Sequence, residues 1–185
     1  MKTLAELHDK NPDKYHGTDK ESKHKYLSLL CGKEFLKFQG QEVNLLEIGI
    51  LKGGSLLLWS DYFPKGNIYG VDINDWNGES KNNTKDVPNI KIDIADAYSV
   101  EYVNSLPELD IVIDDGPHSV DSQVECIKLY LPKLKNGGIL IIEDIESINA
   151  VAEFIKVIPP NCDFEFIDTG SDASYDNRIF VLRKK

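Results

Sequence analysis

The feature of this sequence that most limits its fold is a regular alternation between short apolar runs and segments with helical character. Seven runs have the pattern of strands, at residues 44–48, 67–72, 89–93, 109–113, 138–143, 163–167 and 178–182. Helix-capable segments separate the first five runs, and this order builds a parallel sheet with helices on both faces. We therefore predict a single α/β domain over residues 1–185, with a doubly wound, Rossmann-like fold.

The end of the chain departs from this alternation. The last two runs are joined by residues 169–177, a polar segment too short for a crossover helix. Strands joined in this way pair antiparallel. The prediction is therefore a seven-stranded sheet, mostly parallel, that is completed by an antiparallel C-terminal hairpin.

A short helix is predicted directly after the first strand, and two further helices are predicted elsewhere in the chain. The clearer one covers residues 120–134, where one stripe holds Val120, Val124, Ile127, Leu131 and Leu134. We expect Asn136 and the two glycines after it to end this helix. A weaker helix covers residues 22–38 and is interrupted by Gly32, so residues 1–40 form an N-terminal helical segment or flap.

Charge and composition exclude several classes of protein. The net charge is −10, which disfavours a nucleic-acid partner because the phosphate backbone is also negative. No apolar run approaches the ~20 residues that cross a membrane, and the charged N-terminus lacks the apolar centre of a secretory signal. The three cysteines are widely spaced and are expected to be reduced and mostly buried, so a cytoplasmic location is predicted.

The loop after the first strand predicts the class of ligand. Gly49 and Gly53 allow a sharp turn and a close approach of the backbone to a ligand. A dinucleotide site would instead need the spacing G-x-G-x-x-G around a pyrophosphate. Glu47, two residues before the first glycine, would repel a pyrophosphate but could bind an amino group, such as that of an amino-acid sulfonium.

The next two strand ends extend this prediction. Asp72 ends the second strand, where a carboxylate can accept both hydroxyls of a ribose, and Asp93 ends the third, where it can accept from an adenine amino group. The alternative is that the glycines only form a turn and the aspartates only cap helices. Three strand ends in this order favour an adenosyl cofactor, S-adenosylmethionine, with Ser55 and Asp114 as further contacts.

The fourth and fifth strands end in a group of acids and a histidine. Asp115, Glu143 and Asp144 can converge there, and three carboxylates suit Mg²⁺ or Mn²⁺. His118 precedes a helix that begins near Ser119, whose positive end favours a neutral imidazole that can accept a proton. The alternative is that the acids are helix caps and that His118 is a solvated loop residue.

Four segments, at residues 17–20 (GTDK), 45–59, 114–119 and 141–147, resemble the metal-dependent sugar O-methyltransferases of macrolide biosynthesis. The mycinamicin and tylosin type is the nearest match, with cephalosporin hydroxylase-like proteins as relatives. The resemblance implies methylation of a hydroxyl on a sugar or glycosylated small molecule. It also implies the same carboxylate ligands for Mg²⁺, His118 as general base, and cofactor binding by Glu47, Gly49, Asp72 and Asp93.

Some alternatives remain open at this level. Thr18 and Lys20 belong either to a simple turn with a helix cap or to a flap that closes on the carboxylate of the cofactor. Because fewer than 50 residues precede the first strand, the site is either open or covered by a neighbouring subunit of a homo-oligomer. Rival functions are a hydroxylase-like or other group-transfer enzyme on the same scaffold, and a non-catalytic cofactor-binding protein.

Overall fold

The structure, a computed structural model, describes residues 3–15, 18, 20, 34–168 and 178–185. The chain divides into two compact units, residues 1–95 and residues 96–185. Seven strands lie in the described residues, three in the first unit and four in the second. Within those described ranges, no helix has both the length and the apolar character needed to cross a membrane.

The first unit is built on three parallel strands, in which β2 pairs with both β1 and β3. The strands are β1 (Asn44–Ile48), β2 (Asn67–Asp72) and β3 (Ile90–Ile94). The helices are α1 (Leu4–Lys10), α2 (Gly54–Tyr62) and α3 (Glu79–Thr84), with short 3₁₀ turns at Pro12–Tyr15, Leu36–Phe38 and Trp76–Gly78.

Helix α2 forms much of the core of this unit. Its apolar residues occupy all sides, and Leu56, Leu58 and Trp59 are almost completely buried, which is typical of a helix enclosed by its own domain. A Cβ atom at Gly70 of β2 would lie 2.6 Å from the Leu56 side chain. Glycine at this position therefore lets the helix approach the strand closely.

The second unit carries four strands, of which β4 and β5 are parallel while β7 pairs antiparallel with both β5 and β6. The strands are β4 (Leu109–Asp114), β5 (Leu134–Ile142), β6 (Cys162–Asp168) and β7 (Arg178–Lys184). The helices are α4 (Val100–Ser105), α5 (Val120–Tyr130) and α6 (Ile148–Val157). The predicted antiparallel end of the sheet is confirmed.

The predicted end of the helix at residues 120–134 is wrong. Helix α5 ends at Tyr130, because Pro132 has no N–H to donate to the preceding turn. The Asn136 and glycine segment does not stop the helix but lies inside β5. The register between β4 and β5 shifts there, and Gly137 has a φ of 80°, so the glycine serves a bulge in the strand.

Of the predicted apolar stripe, Ile127, Leu131 and Leu134 are buried, whereas Val120 and Val124 are only partly buried. The helical residues that are buried are Gln123, Cys126, Ile127 and Tyr130. Tyr130 donates its hydroxyl to the Ala97 carbonyl at 2.7 Å. The Tyr130 hydroxyl is thus satisfied by a hydrogen bond from this face, which an apolar pattern cannot reveal.

The weaker predicted helix at residues 22–38 lies largely outside the described residues, and its last part, Leu36–Phe38, is a single 3₁₀ turn. Cys126 and Cys162 are free and buried, in agreement with the prediction of reduced thiols. Cys31 lies outside the described residues.

Candidate functional site

The acids after β4 and β5 are brought together because the two strands end side by side. Asp114 pairs with Ile142 in the parallel ladder, and the Glu143 N–H donates to the Asp114 carbonyl at 3.0 Å. The loops that follow the two strands therefore leave from one edge of the sheet. The predicted neighbourhood of Asp115 and Asp144 is confirmed.

Asp115, His118 and Asp144 form a cluster at this edge. One ligand atom from each residue lies within 4.8 Å of the other two. The Nε2 atom of His118 lies 4.0 Å from Asp115 Oδ1 and 3.7 Å from Asp144 Oδ2. All three side chains are partly buried, so their charges are less screened than at an open surface.

Two residues of the cluster have an uncommon backbone conformation. His118 has a φ of 60° and Asp144 a φ of 54°. A non-glycine residue in this left-handed region costs on the order of 1–2 kcal/mol, and such residues are often found at functional sites. The nitrogen of His118 that faces the two carboxylates is Nε2. The other ring nitrogen, Nδ1, is buried and has no hydrogen-bond partner among the described residues.

Glu143, a predicted metal ligand, is not part of the three-residue cluster found in the described ranges. Its side chain is buried, with 3% of the residue exposed. The structure therefore brings two of the three predicted carboxylates together with the histidine. Ligation by Glu143 stays a prediction.

Asp114, a predicted cofactor contact, lies in the interior of the second unit. It is 2% exposed, and Tyr98 donates its hydroxyl to Asp114 Oδ1 at 2.7 Å. Burial raises the pKa of the Asp114 carboxyl to about 6, despite the opposing hydrogen bonds from Tyr98 and Cys126. Burial beside this carboxylate also raises the pKa values of Tyr98 and Cys126. Direct contact of Asp114 with a cofactor stays a prediction.

Gln123 is a site-supporting residue that the sequence reasoning missed. Its Nε2 donates to the carbonyl of Glu143 at 3.1 Å and lies 3.5 Å from the carbonyl of Asp144. The available signal was its position on the helix, since Gln123, Cys126, Ile127 and Tyr130 share one face at helical spacing. A glutamine on a buried face needs partners for its amide.

In the first unit, Asp72 connects the end of β2 to the glycine loop after β1. Its Oδ2 accepts from the N–H groups of Ile50 and Leu51 at 3.1 and 3.2 Å and from the Trp76 indole at 3.0 Å. Its Oδ1 accepts from the Asn74 N–H at 2.9 Å. Asp72 therefore holds the shape of the loop, and Oδ1 has further capacity to accept a hydroxyl.

Glu47 is fully buried beneath the same loop. Its Oε2 accepts from Ser55 Oγ at 2.6 Å and from the Trp59 indole at 3.0 Å. Its Oε1 lies 3.3 Å from Nζ of Lys20, which is itself 3% exposed. The carboxylate that we expected to bind an amino group is thus paired with the ammonium of Lys20, and three predicted cofactor contacts form one buried cluster.

The remaining predicted contacts have varied surroundings. Gly49 and Gly53 have φ values of 79° and 81°, which glycine adopts without strain. Thr18 has a buried hydroxyl for which the described residues offer no hydrogen-bond partner. Asp93 is exposed near the end of β3. Trp76, missed by the sequence reasoning, is 40% exposed beside Asp72.

Comparison with known sequences gives matches over much of the chain. A family model described as "Methyltransferase domain" matches residues 46–145. The chain is 33% identical over 140 residues to the 8-demethyl-8-alpha-L-rhamnosyl tetracenomycin-C 2'-O-methyltransferase of Streptomyces olivaceus, covering 71% of this chain and 36% of that protein. It is 33% identical over 121 residues to the mycinamicin VI 2''-O-methyltransferase of Micromonospora griseorubida, covering 61% of this chain and 30% of that protein. The chain spans about a third of the length of these relatives.

Solved structures match over nearly the whole chain. The MycE methyltransferase of the mycinamycin pathway, in complex with Mg, SAH and mycinamycin VI, has a TM-score of 0.73 at 24% identity, covering 99% of this chain and 53% of that one. The O-methyltransferase from Bacillus cereus in complex with SAH has a TM-score of 0.70 at 18% identity, covering 98% of this chain and 90% of that one. These likenesses confirm the predicted fold, a seven-stranded α/β sheet, mostly parallel with antiparallel C-terminal strands.

Proposed function

Because this chain belongs to the family of methyltransferase domains, we propose that it transfers a methyl group from S-adenosylmethionine to a hydroxyl of a sugar or glycosylated small molecule, with a divalent cation as cofactor. The observation that carries this proposal is the cluster of Asp115, His118 and Asp144 after β4 and β5. It combines groups for holding a cation and for accepting a proton at the edge of the sheet where ligands of such folds bind.

The donor set of the cluster fits Mg²⁺ or Mn²⁺. Asp115 and Asp144 supply hard oxygen ligands, which these ions prefer. Their carboxylates lie close enough to repel each other, and a cation would relieve that repulsion. We assign His118 to proton transfer rather than to ligation because Mg²⁺ prefers oxygen to imidazole nitrogen, and we keep Glu143 as a third candidate ligand.

The first unit fits a methyl donor with an adenosyl group. Asp72 Oδ1 retains capacity for a ribose hydroxyl, and Ile73 and Trp76 beside it expose apolar surface, at 69% and 40% of each residue. Gly49 and Gly53 keep the loop free of side chains where a ligand would approach. When bound, S-adenosylmethionine supplies a methyl group on a positively charged sulfur, and the cation lowers the pKa of the hydroxyl to be methylated.

The chain's own residues would then act on the acceptor. His118 Nε2 takes the proton of the acceptor hydroxyl, and Asp144, 3.7 Å away, stabilises the resulting positive charge on the imidazole. Asp115 and Asp144 fix the position of the acceptor relative to His118. Orientation of this kind supplies a large part of the rate of a transfer between two bound groups.

A sugar hydroxyl is proposed as the acceptor because relatives with about one third identity are named as O-methyltransferases of rhamnosyl tetracenomycin-C compounds. The net charge of −10 disfavours a nucleic-acid acceptor.

The test combines ligand binding with methyl transfer. S-Adenosylhomocysteine should raise the melting temperature by mass action, whereas NAD should leave it unchanged. A panel of glycosides with adjacent hydroxyls is then screened with a labelled methyl donor, with Mg²⁺ or with EDTA. Binding of NAD without binding of S-adenosylhomocysteine contradicts the cofactor assignment, and full transfer in EDTA contradicts the role of the cation.

Replacement of the histidine tests the base. His118→Ala should lower turnover by roughly 10²–10⁴-fold and remove the acid limb of the pH–rate profile. Glu125→Gln is a matched control, because it removes a partly exposed charge from α5, the helix that follows His118, where Glu125 pairs with Lys128. The control should keep the turnover and the pH profile of the parent. Turnover of His118→Ala equal to the parent's would remove His118 from the mechanism.

A further inference from the structure

We infer that Gln123 is a positioning residue, which holds Asp144 in its left-handed conformation and thereby sets the geometry of the cation site. The inference rests on the proposed function only in its claim that the site binds a divalent cation. Its structural part concerns the contact between helix α5 and the loop after β5, and this part can be tested without any ion.

The contact joins one side-chain nitrogen to two successive carbonyls. Gln123 Nε2 lies 3.1 Å from the Glu143 carbonyl oxygen and 3.5 Å from the Asp144 carbonyl oxygen. A primary amide nitrogen carries two hydrogens, so it can donate to both oxygens. The first distance is that of an ordinary hydrogen bond and the second is that of a weaker one.

Binding of both carbonyls constrains the backbone at Asp144. The two carbonyls belong to the peptide planes on either side of the Asp144 Cα atom, and φ and ψ of this residue set the angle between those planes. In an extended chain successive carbonyls point in opposite directions, whereas in a left- or right-handed turn they point to the same side. One nitrogen that serves both carbonyls therefore favours the turn conformation, in which Asp144 has a φ of 54°.

The same loop is anchored at its other polar groups. The Glu143 N–H donates to the Asp114 carbonyl at 3.0 Å, and the Ile145 N–H donates to the Arg178 carbonyl at 3.3 Å. Arg178 Nη1 donates to the Glu146 carbonyl at 2.8 Å. The Ile145 N–H lies in the same peptide plane as the Asp144 carbonyl, so Gln123 and Arg178 together hold that plane, and Gln123 adds the link to the plane that carries the Glu143 carbonyl.

The surroundings of Gln123 support a role for its amide. The residue is 1% exposed, and no described residue offers a hydrogen-bond partner to its buried Oε1. A buried oxygen without a partner is unfavourable, and an apolar side chain of similar shape would avoid this cost. An amide turned by 180° would place Oε1 against the two carbonyl oxygens, so the orientation of the amide is determined by the contact.

The test uses Gln123→Met, which keeps the length of the side chain and removes the amide. Ile127→Val is the matched control, because Ile127 is fully buried on the same face of α5 and its truncation weakens packing without removing a polar group. Mn²⁺ affinity is measured by electron paramagnetic resonance, with the metal alone as ligand. The Cα, Cβ and Hα chemical shifts of Asp144, which report on φ, are measured in metal-free protein.

We expect Gln123→Met to weaken Mn²⁺ binding about 10–100-fold, as is typical when a group that orients a metal ligand is lost, and to move the Asp144 shifts away from left-handed values. Ile127→Val should lower the melting temperature but change neither quantity. The inference is overturned if Gln123→Met keeps either the parent's Mn²⁺ affinity or the parent's Asp144 shifts. If the Met variant does not fold, the same measurements are made on Gln123→Asn, whose shorter side chain cannot reach both carbonyls.

Failure of the proposed function gives a different pattern. If the parent itself does not bind Mn²⁺, the cation site is refuted, and with it the part of the inference that concerns metal binding. The Asp144 shifts then still decide whether Gln123 holds the loop, since they are measured without metal.

Discussion

Replacement of the buried Asp114 by Asn should stabilise the protein at neutral pH and have little effect in acid. Asp114 is 2% exposed, and its pKa is raised from 3.8 to about 6, chiefly by burial. Asn has nearly the same shape, can still accept the Tyr98 hydroxyl and carries no charge. The substitution therefore removes the cost of an ionised carboxylate in the interior.

The size and sign of the pH dependence follow from the difference in proton binding between the folded and the unfolded protein. Between pH 4 and pH 6 the unfolded chain has lost the proton of this carboxyl while the folded protein still holds it, so the free energy of unfolding falls as the pH rises. A difference of about two pKa units corresponds to about 3 kcal/mol. The loss of stability caused by Asp114 should be complete above about pH 6, where the carboxyl is ionised in both states, and absent below about pH 4.

The assay is urea unfolding of metal-free parent and variant at intervals from pH 4 to pH 8. Asp114→Asn should match the parent near pH 4 and exceed it by about 3 kcal/mol at pH 7 and above. Glu125→Gln, which removes a partly exposed carboxylate of α5, should differ from the parent by less than about 1 kcal/mol throughout. A difference between Asp114→Asn and the parent that does not change with pH would refute the reasoning.

Two further substitutions test other parts of the site. Asp144→Ala should abolish measurable Mn²⁺ binding but leave the affinity for S-adenosylhomocysteine unchanged in calorimetry. An equal loss of both affinities would contradict separate roles for the residues of the cation site and the residues of the cofactor site. Lys20→Met should lower the free energy of unfolding by about 3–5 kcal/mol in urea, because it removes the ammonium that neutralises the fully buried carboxylate of Glu47. The double variant Lys20→Met with Glu47→Gln should recover most of this loss, and failure to recover would show that the ion pair is not the cause.

Much of the fold follows from local patterns in the sequence. The apolar runs predicted all seven strands to within a few residues. Strands such as β4 are largely buried and mostly apolar, whereas β3 and β6 alternate apolar and charged residues and are partly exposed. The polar segment before the last strand predicted the antiparallel pairing, because a parallel connection needs a crossover longer than nine residues. Residues at strand ends were also accessible to sequence reasoning, since parallel strands bring their carboxyl ends to one edge.

The sequence also determined which residues meet at that edge in the second unit. Asp115, Glu143 and Asp144 were predicted to converge because β4 and β5 are neighbours in a doubly wound sheet; Asp115 and Asp144 do so, together with His118, whereas Glu143 is not part of the cluster found in the described residues. The short distance in sequence between Asp115 and His118 left few alternative positions for the histidine. The chemical types of these residues then limited what the site can hold.

Only the tertiary structure decided how these residues are held. The buried face of α5 that contains Gln123 depends on what the helix packs against, which a periodic pattern does not specify. The ion pair of Lys20 with Glu47 and the hydrogen bond of Tyr98 with Asp114 join residues 27 and 16 positions apart. A buried polar group is stable only with a partner that comes from elsewhere in the fold, so the sequence can show that such a partner is needed but not which residue provides it.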